Sequence, residues 1–398
     1  MSTRIHLQWA LLLALFLTTA PLAVAKPFVP ESDDVVVERL PEKSDPSLAL
    51  LKRQRAALAR APADPALAAP VARRAIEAAR ATGDPRFLGQ AQAALAPWWS
   101  TDDTPPAILV LRATLKQSTH DFAGALNDLD RIVAARPTDA QALLTRATVL
   151  TVQGRYAEAE RDCARLASIA NELVATTCSA GPASLSGAAA EANRTLMRAL
   201  SRNRYADPGL KAWAFTLAAE VAARRGEYID AEAHFQAALV LDRRDSYLLG
   251  AYADFLLDRQ RAEDVVDLLR NETTNDALFL RLVLAEARLA GRMPDAQATF
   301  TAHRSELSAR FEAARRRGDI VHRREEARYA LALEGDVRRA LALALANWAV
   351  QREPADLRLL AEAARSAGDT TALATVDRWI EAHRLEDVTL AAIRGHAK

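Results

Sequence analysis

Residues 212–245 read AWAFTLAAEVAARRGEYIDAEAHFQAALVLDRRD. Apolar residues recur at helical spacing up to Arg225: Phe215, Ala218, Ala219 and Ala222. Gly226 then breaks the pattern, because glycine accepts the left-handed conformation that ends a helix. A second helical face follows, with Tyr228, Ala231, Phe235, Ala238 and Leu239. Neither helix buries its apolar face alone, so this unit needs neighbours. The sequence supplies them at the same period.

Units begin at Pro106 and Ala140, at Ala212 and Ser246, and at Val321 and Ala355; each pair of starts is 34 residues apart. A looser unit runs over residues 174–205, and an earlier helix pair spans residues 70–97 with a break at Gly83-Asp84-Pro85. The unit starting at Ala277 is ten residues longer than the period. Its surplus extends a basic helix over residues 302–317, which is expected to protrude from the array or bend it. Recurrence at such a period signals a solenoid. Residues 47–61 form a first helix, closed by Pro62 and Pro65, that caps the array.

Composition agrees. Half of the 398 residues are hydrophobic, with few aromatics and few glycines, which favours helices over strands. The 52 basic and 51 acidic residues are interspersed. That balance excludes the basic stripe expected of a nucleic-acid binder and the polybasic footprint of an anionic membrane surface.

The N-terminus reads as an export signal. Arg4 precedes an apolar run from Trp9 to Leu17, and Ala23-Val24-Ala25 is a cleavage pattern. The run is too short to span about 30 Å of hydrocarbon. Removing residues 1–25 takes away Arg4 and no acid, so the remainder is formally neutral. The expectation is a periplasmic or secreted protein with no membrane span after cleavage. Residues 26–46 are proline-rich and acidic and read as an extended lead-in. Within them Asp34–Glu38 would suit either a linker or a short element added to a partner.

The pattern resembles the tetratricopeptide repeat (TPR) family. That family places a large apolar residue at repeat position 4, small residues at 8 and 20, an aromatic at 17 and proline near 32. Leu109, Ala113, Phe122, Ala125 and Pro137 match all five; Phe215, Ala219, Tyr228 and Ala231 match four, with Arg243 where proline would stand. The strongest units are 106–139, 140–173, 212–245 and 246–279, and the resemblance covers nearly all of residues 47–398. It implies an all-α fold: a right-handed superhelix of eight to nine helix pairs, its concave groove lined by the first helices. It also implies a binding scaffold rather than an enzyme.

By that likeness, positions 2, 5, 9, 12 and 13 of each first helix face the groove. They pick out Trp213, Glu220, Arg224, Tyr247, Asp254, Asp258, Arg281, Arg288, His322, Glu325 and Tyr329. The lining is mixed in charge, which suits an extended peptide or protein segment. Position 7, normally apolar, is Arg112 in one unit and Arg146 in the next, and position 23 is Asp128 and Asp162. Paired departures of opposite sign read as ion pairs between helices, since a buried arginine without a partner is costly. An arginine ladder holding a carboxylate or sulfate is the other reading. In a TPR array the helices carrying Cys163 and Cys178 pack together, so a disulfide is expected in an oxidising compartment.

No catalytic, cofactor-binding or metal-ligating constellation emerges. His322-Arg-Arg-Glu325-Glu326 lacks the second histidine of a metalloprotease motif, and the six histidines beyond residue 25 are scattered singly. Arg317-Gly318-Asp319 reads as a helix stop. Trp98-Trp99 in an inter-repeat loop would either stack on a sugar or close the core. Two functions follow as expectations: an exported scaffold or adaptor for protein partners in envelope assembly, or an accessory protein for envelope polysaccharide. An enzyme on a solenoid frame is the disfavoured third. The partner and the oligomeric state stay open.

Overall fold

A computed structural model describes residues 46–291, 294–319 and 321–395, together with Ser32. The export signal and nearly all of the lead-in lie outside the described residues. The described residues form twenty α-helices and no strand.

Helix α1 (Pro46–Leu58) precedes nine helix pairs. These are α2 (Pro65–Thr82) and α3 (Arg86–Ala94), α4 (Pro106–Ser118) and α5 (Phe122–Ala135), and α6 (Ala140–Val152) and α7 (Tyr156–Leu166). Next come α8 (Glu172–Ser184) and α9 (Ala189–Arg202), α10 (Pro208–Arg224) and α11 (Tyr228–Leu241), and α12 (Ser246–Asp258) and α13 (Ala262–Leu269). The last three are α14 (Asp276–Ala290) and α15 (Pro294–Arg316), α16 (Arg323–Tyr329) and α17 (Val337–Trp348), and α18 (Pro354–Ala367) and α19 (Thr370–His383). Helix α20 (Val388–Gly395) ends the array. The first pair starts at Pro65 rather than Pro70, which sits inside α2. Proline at the first helical turn costs nothing, because that N–H has no helical partner anyway.

Each first helix packs on its own second helix and on the first helix of the next pair, so the first helices form a continuous inner layer. The units share a local grammar. Asp121, Asp139, Asp207, Asp245, Asp336 and Asp369 each accept a backbone N–H at a helix start. The turn between paired helices needs positive φ at repeat position 15. Gly154 and Gly226 supply it in two units; His120 (φ 60°) and Gln260 (φ 61°) adopt it in two others, although a side chain disfavours it.

The long helix α15 neither protrudes nor leaves the array. Leu307, Phe311 and Ala314 are buried, Arg310 bonds Asp276 at 2.8 Å, and His303 bonds Glu286 at 2.9 Å. An apolar stripe at helical spacing, beneath the basic surface, docks it onto α14.

Candidate functional site

The paired departures at positions 7 and 23 come together within their repeats. Arg112 meets Asp128 through two bonds, of 2.6 and 2.8 Å, with both residues buried. The same guanidinium donates to the carbonyls of Trp98, Trp99 and Thr101, so its donors are used inside the protein. Lys116 adds a third contact to Asp128 at 2.8 Å. Burial pushes the Asp128 carboxyl up, but the bonds from Arg112 and Lys116 outweigh it and hold the group below the usual range. Arg146 meets Asp162 at 2.6 Å and reaches Asp130 of the previous repeat at 2.8 Å. Cys163 and Cys178 form a disulfide. Trp98 is buried against α2, α3 and α4 and offers no open face to a sugar.

The inner layer is wound tightly enough to meet itself. Ser246 Oγ, at the start of α12, donates to the Arg80 carbonyl near the end of α2, 166 residues away. The 352 backbone N–H donates to the Val152 carbonyl at 2.7 Å. Trp379 of α19 sits edge-on to Tyr156 and to Trp348, and leaves no room for a Cβ at Gly154. Arg384 lies over Gly187, Val388 approaches Gly226, and Arg225 pairs with Glu386 at 3.5 Å. The last units therefore rest on the inter-helix turns of the middle units. One apolar cluster joins Tyr156 and Leu185 to Trp348, Leu385 and Leu390.

This closure engages several residues that the repeat register assigns to the groove. Asp254 bonds Arg281 and Arg328, each at 2.6 Å. Burial raises its carboxyl, but the two arginines prevail and hold it far below the usual range. Asp258 takes both arms of Arg358, at 2.5 and 2.7 Å. Arg288 donates to the Leu257 carbonyl and borders, with Asp258, a cavity of about 680 Å³. His322 stands 3.9 Å from Asp319, and buried Glu325 is 3.3 Å from Arg324. Arg324 also holds Glu353 at 2.8 Å and Asp356 at 3.4 Å.

Tyr329 is not a groove residue. It is buried, with its ring 5.3 Å from that of Phe311. Helix α16 starts two residues later than the repeat boundary and runs into a π turn at Ala330–Glu334, which shifts the register. Arg328, one residue earlier, points across to Asp254 instead. Neither Arg328 nor Arg358 is singled out by repeat position. Their partners lie 74 and 100 residues away, beyond the reach of any local spacing.

One stretch of the inner layer stays open. Tyr247 is 58% exposed and Trp213 is 38% exposed. Tyr247 Oη donates to Glu220 Oε1 at 2.8 Å, and Arg224 donates to Ser184 Oγ at 3.0 Å. Partial burial pushes the Glu220 carboxyl up to about 7, against the opposing pull of Arg224 and the Tyr247 hydroxyl. No cation stands within ion-pair distance of Glu220 among the described residues. Those residues also contain no cluster able to hold a metal ion.

No family model and no curated protein matches the chain. Among solved structures it is similar to a tetratricopeptide repeat protein from Parabacteroides merdae, with 18% identity over 65% of this chain and 92% of that one, at a TM-score of 0.43. It is similar to human IFIT1, solved as a dimer with m7Gppp-AAAA, with 14% identity over 81% of this chain and 77% of that one, at a TM-score of 0.47. Yeast Tom70 shares 14% identity over 88% of both chains, at a TM-score of 0.26. The architecture rests on the chain's own geometry: consecutive helix pairs with first helix stacked on first helix. It is an α-solenoid of helix pairs. No helix among the described residues of this array is long and apolar enough to cross a membrane.

Proposed function

We propose that this chain is an exported TPR-type scaffold whose inner layer holds a protein or peptide segment at Trp213, Glu220, Arg224 and Tyr247. One observation carries the reading. Much of the inner layer is tied up by the chain's own ion pairs, yet two large aromatics stay exposed there, beside a carboxylate without a cation. Exposed aromatics in a concave surface are good anchors for a partner. Glu220 would favour a segment with a basic residue, because a cation there offsets the cost of its enclosure. Export rests on the leader pattern and on the Cys163–Cys178 disulfide, which suits an oxidising compartment. The polysaccharide reading is left with Trp99, since Trp98 is buried.

Site-specific photocrosslinking in the native compartment tests it. A photoreactive amino acid at position 247 should trap a discrete protein partner, lost when Trp213→Ala is added. The same probe at Asn127, exposed on α5, should trap none. Equal adducts from both positions, or none from 247, would overturn the proposal.

A further inference from the structure

Second helices of the array turn one face inward and one to solvent, and α11 differs from its neighbours on the solvent side. Its inner face buries Ala231, Phe235 and Ala238. Its outer face presents Ile229, Ala233, Gln236 and Val240, at spacings of four, three and four, which places them on one stripe. Ile229 is 88% exposed and Val240 is 83% exposed. The matching positions after the next turn carry charge, Glu263, Asp267 and Arg270, and the exposed surface of α9 carries Glu191, Arg194 and Arg198. Large apolar side chains exposed on one stripe of a helix whose opposite face is already buried mark a surface that gains from cover.

The charges at its ends indicate the cover. Exposed Asp230 lies in the first turn of α11, and exposed Arg243 lies just past its last. From these features we infer that α11 is the interface of a two-fold homodimer, packing antiparallel on α11 of a second copy. A two-fold axis at the middle of the stripe sets Ile229 of one copy against Val240 of the other. It sets the small Ala233 against Gln236, so the two backbones approach closely. It brings Asp230 of each copy to within about four residues, roughly 6 Å along the axis, of Arg243 of the other. An arginine side chain spans that offset. The surface is thus complementary to itself, as an isologous contact requires. It lies on second helices, whereas Trp213 and Tyr247 lie on first helices, so dimerisation leaves the concave stretch open.

Sedimentation velocity on oxidised protein beginning at residue 26 tests the inference. The unaltered chain should dimerise with rising concentration, and Ile229→Glu with Val240→Glu should sediment as a monomer. Asp230→Arg alone and Arg243→Asp alone should each weaken the dimer at least tenfold, because each sets like charges together twice. An equimolar mixture of those two single variants should restore it, since both cross-contacts then join opposite charges. Unchanged thermal midpoints in the three variants separate lost association from lost folding. A monomer at every concentration, or a dimer indifferent to the Glu variants, overturns the interface. A dimer lost in the Glu variants but not rescued in the mixture overturns the antiparallel arrangement.

Discussion

Asp254 on α12 and Arg328 on α16 are 74 residues apart in sequence and 2.6 Å apart in space. The same carboxylate holds Arg281, also at 2.6 Å, so one acid is shared by two arginines of successive first helices. This junction joins the first helices of three repeats. Asp254→Ala leaves two enclosed guanidinium groups without their carboxylate. The loss should be about 1–3 kcal/mol, less than for a fully dry pair because the site keeps some water. Urea unfolding measures it, and an unchanged midpoint would contradict the junction's role.

Asp128 and Asp162 occupy the same repeat position but should not cost the same when removed. Asp128→Ala strands buried Arg112 and Lys116 and should destabilise by about 3–5 kcal/mol. Asp162→Ala leaves Arg146 its second partner, Asp130, and should cost clearly less. Paired denaturation curves compare them; equal losses would show that Asp130 does not substitute.

Which relationships were legible in the sequence follows from their range. Arg112 and Asp128 are 16 positions apart inside one repeat, so a doubled departure from the family pattern exposes them. Cys163 and Cys178 lie 15 positions apart on helices of successive units, and the packing that the family resemblance implies brings those helices together. Asp258 and Arg358 meet only because the superhelix closes on itself, and no repeat position records its pitch. Tyr329 was misplaced because a late helix start and a π turn shift the register by one residue, a change hidden inside an intact 34-residue period. Helix α15 looked protruding because its charged residues outnumber the three inward apolar ones that dock it.

The disulfide closes a short loop, with 15 positions between its cysteines. Constraining the unfolded chain over such a loop stabilises by about 3 kcal/mol. Reduction, or Cys163→Ser with Cys178→Ser, should lower the unfolding free energy by about that amount. Oxidised protein should show no reactive thiol after denaturation, and two reactive thiols would refute the bond.

Glu220 gives the pH dependence a definite sign. Its folded value of about 7 lies above its ordinary 4.5. The folded state therefore binds this proton more tightly than the unfolded chain does. The stabilisation is fully present below the unfolded value and is lost as pH rises through the folded one. The contribution of Glu220 to stability should fall between about pH 4.5 and pH 7, so the difference in thermal midpoint between the unaltered protein and Glu220→Gln should change across that range. Asp128 and Asp254, held low by their arginines, act only at more acid pH, where their protonation removes stability. A Gln variant with an unaltered slope would contradict the enclosure of Glu220.

The closure of the inner layer is tested most directly by a double-mutant cycle on Asp258 and Arg358. These residues share two bonds across 100 positions. Urea unfolding of Asp258→Ala, Arg358→Ala and the double variant gives the coupling. A closed array predicts a coupling of about 0.5–1 kcal/mol or more. Losses that add within about 0.3 kcal/mol would mean the two residues do not meet, and the array would be open at that point.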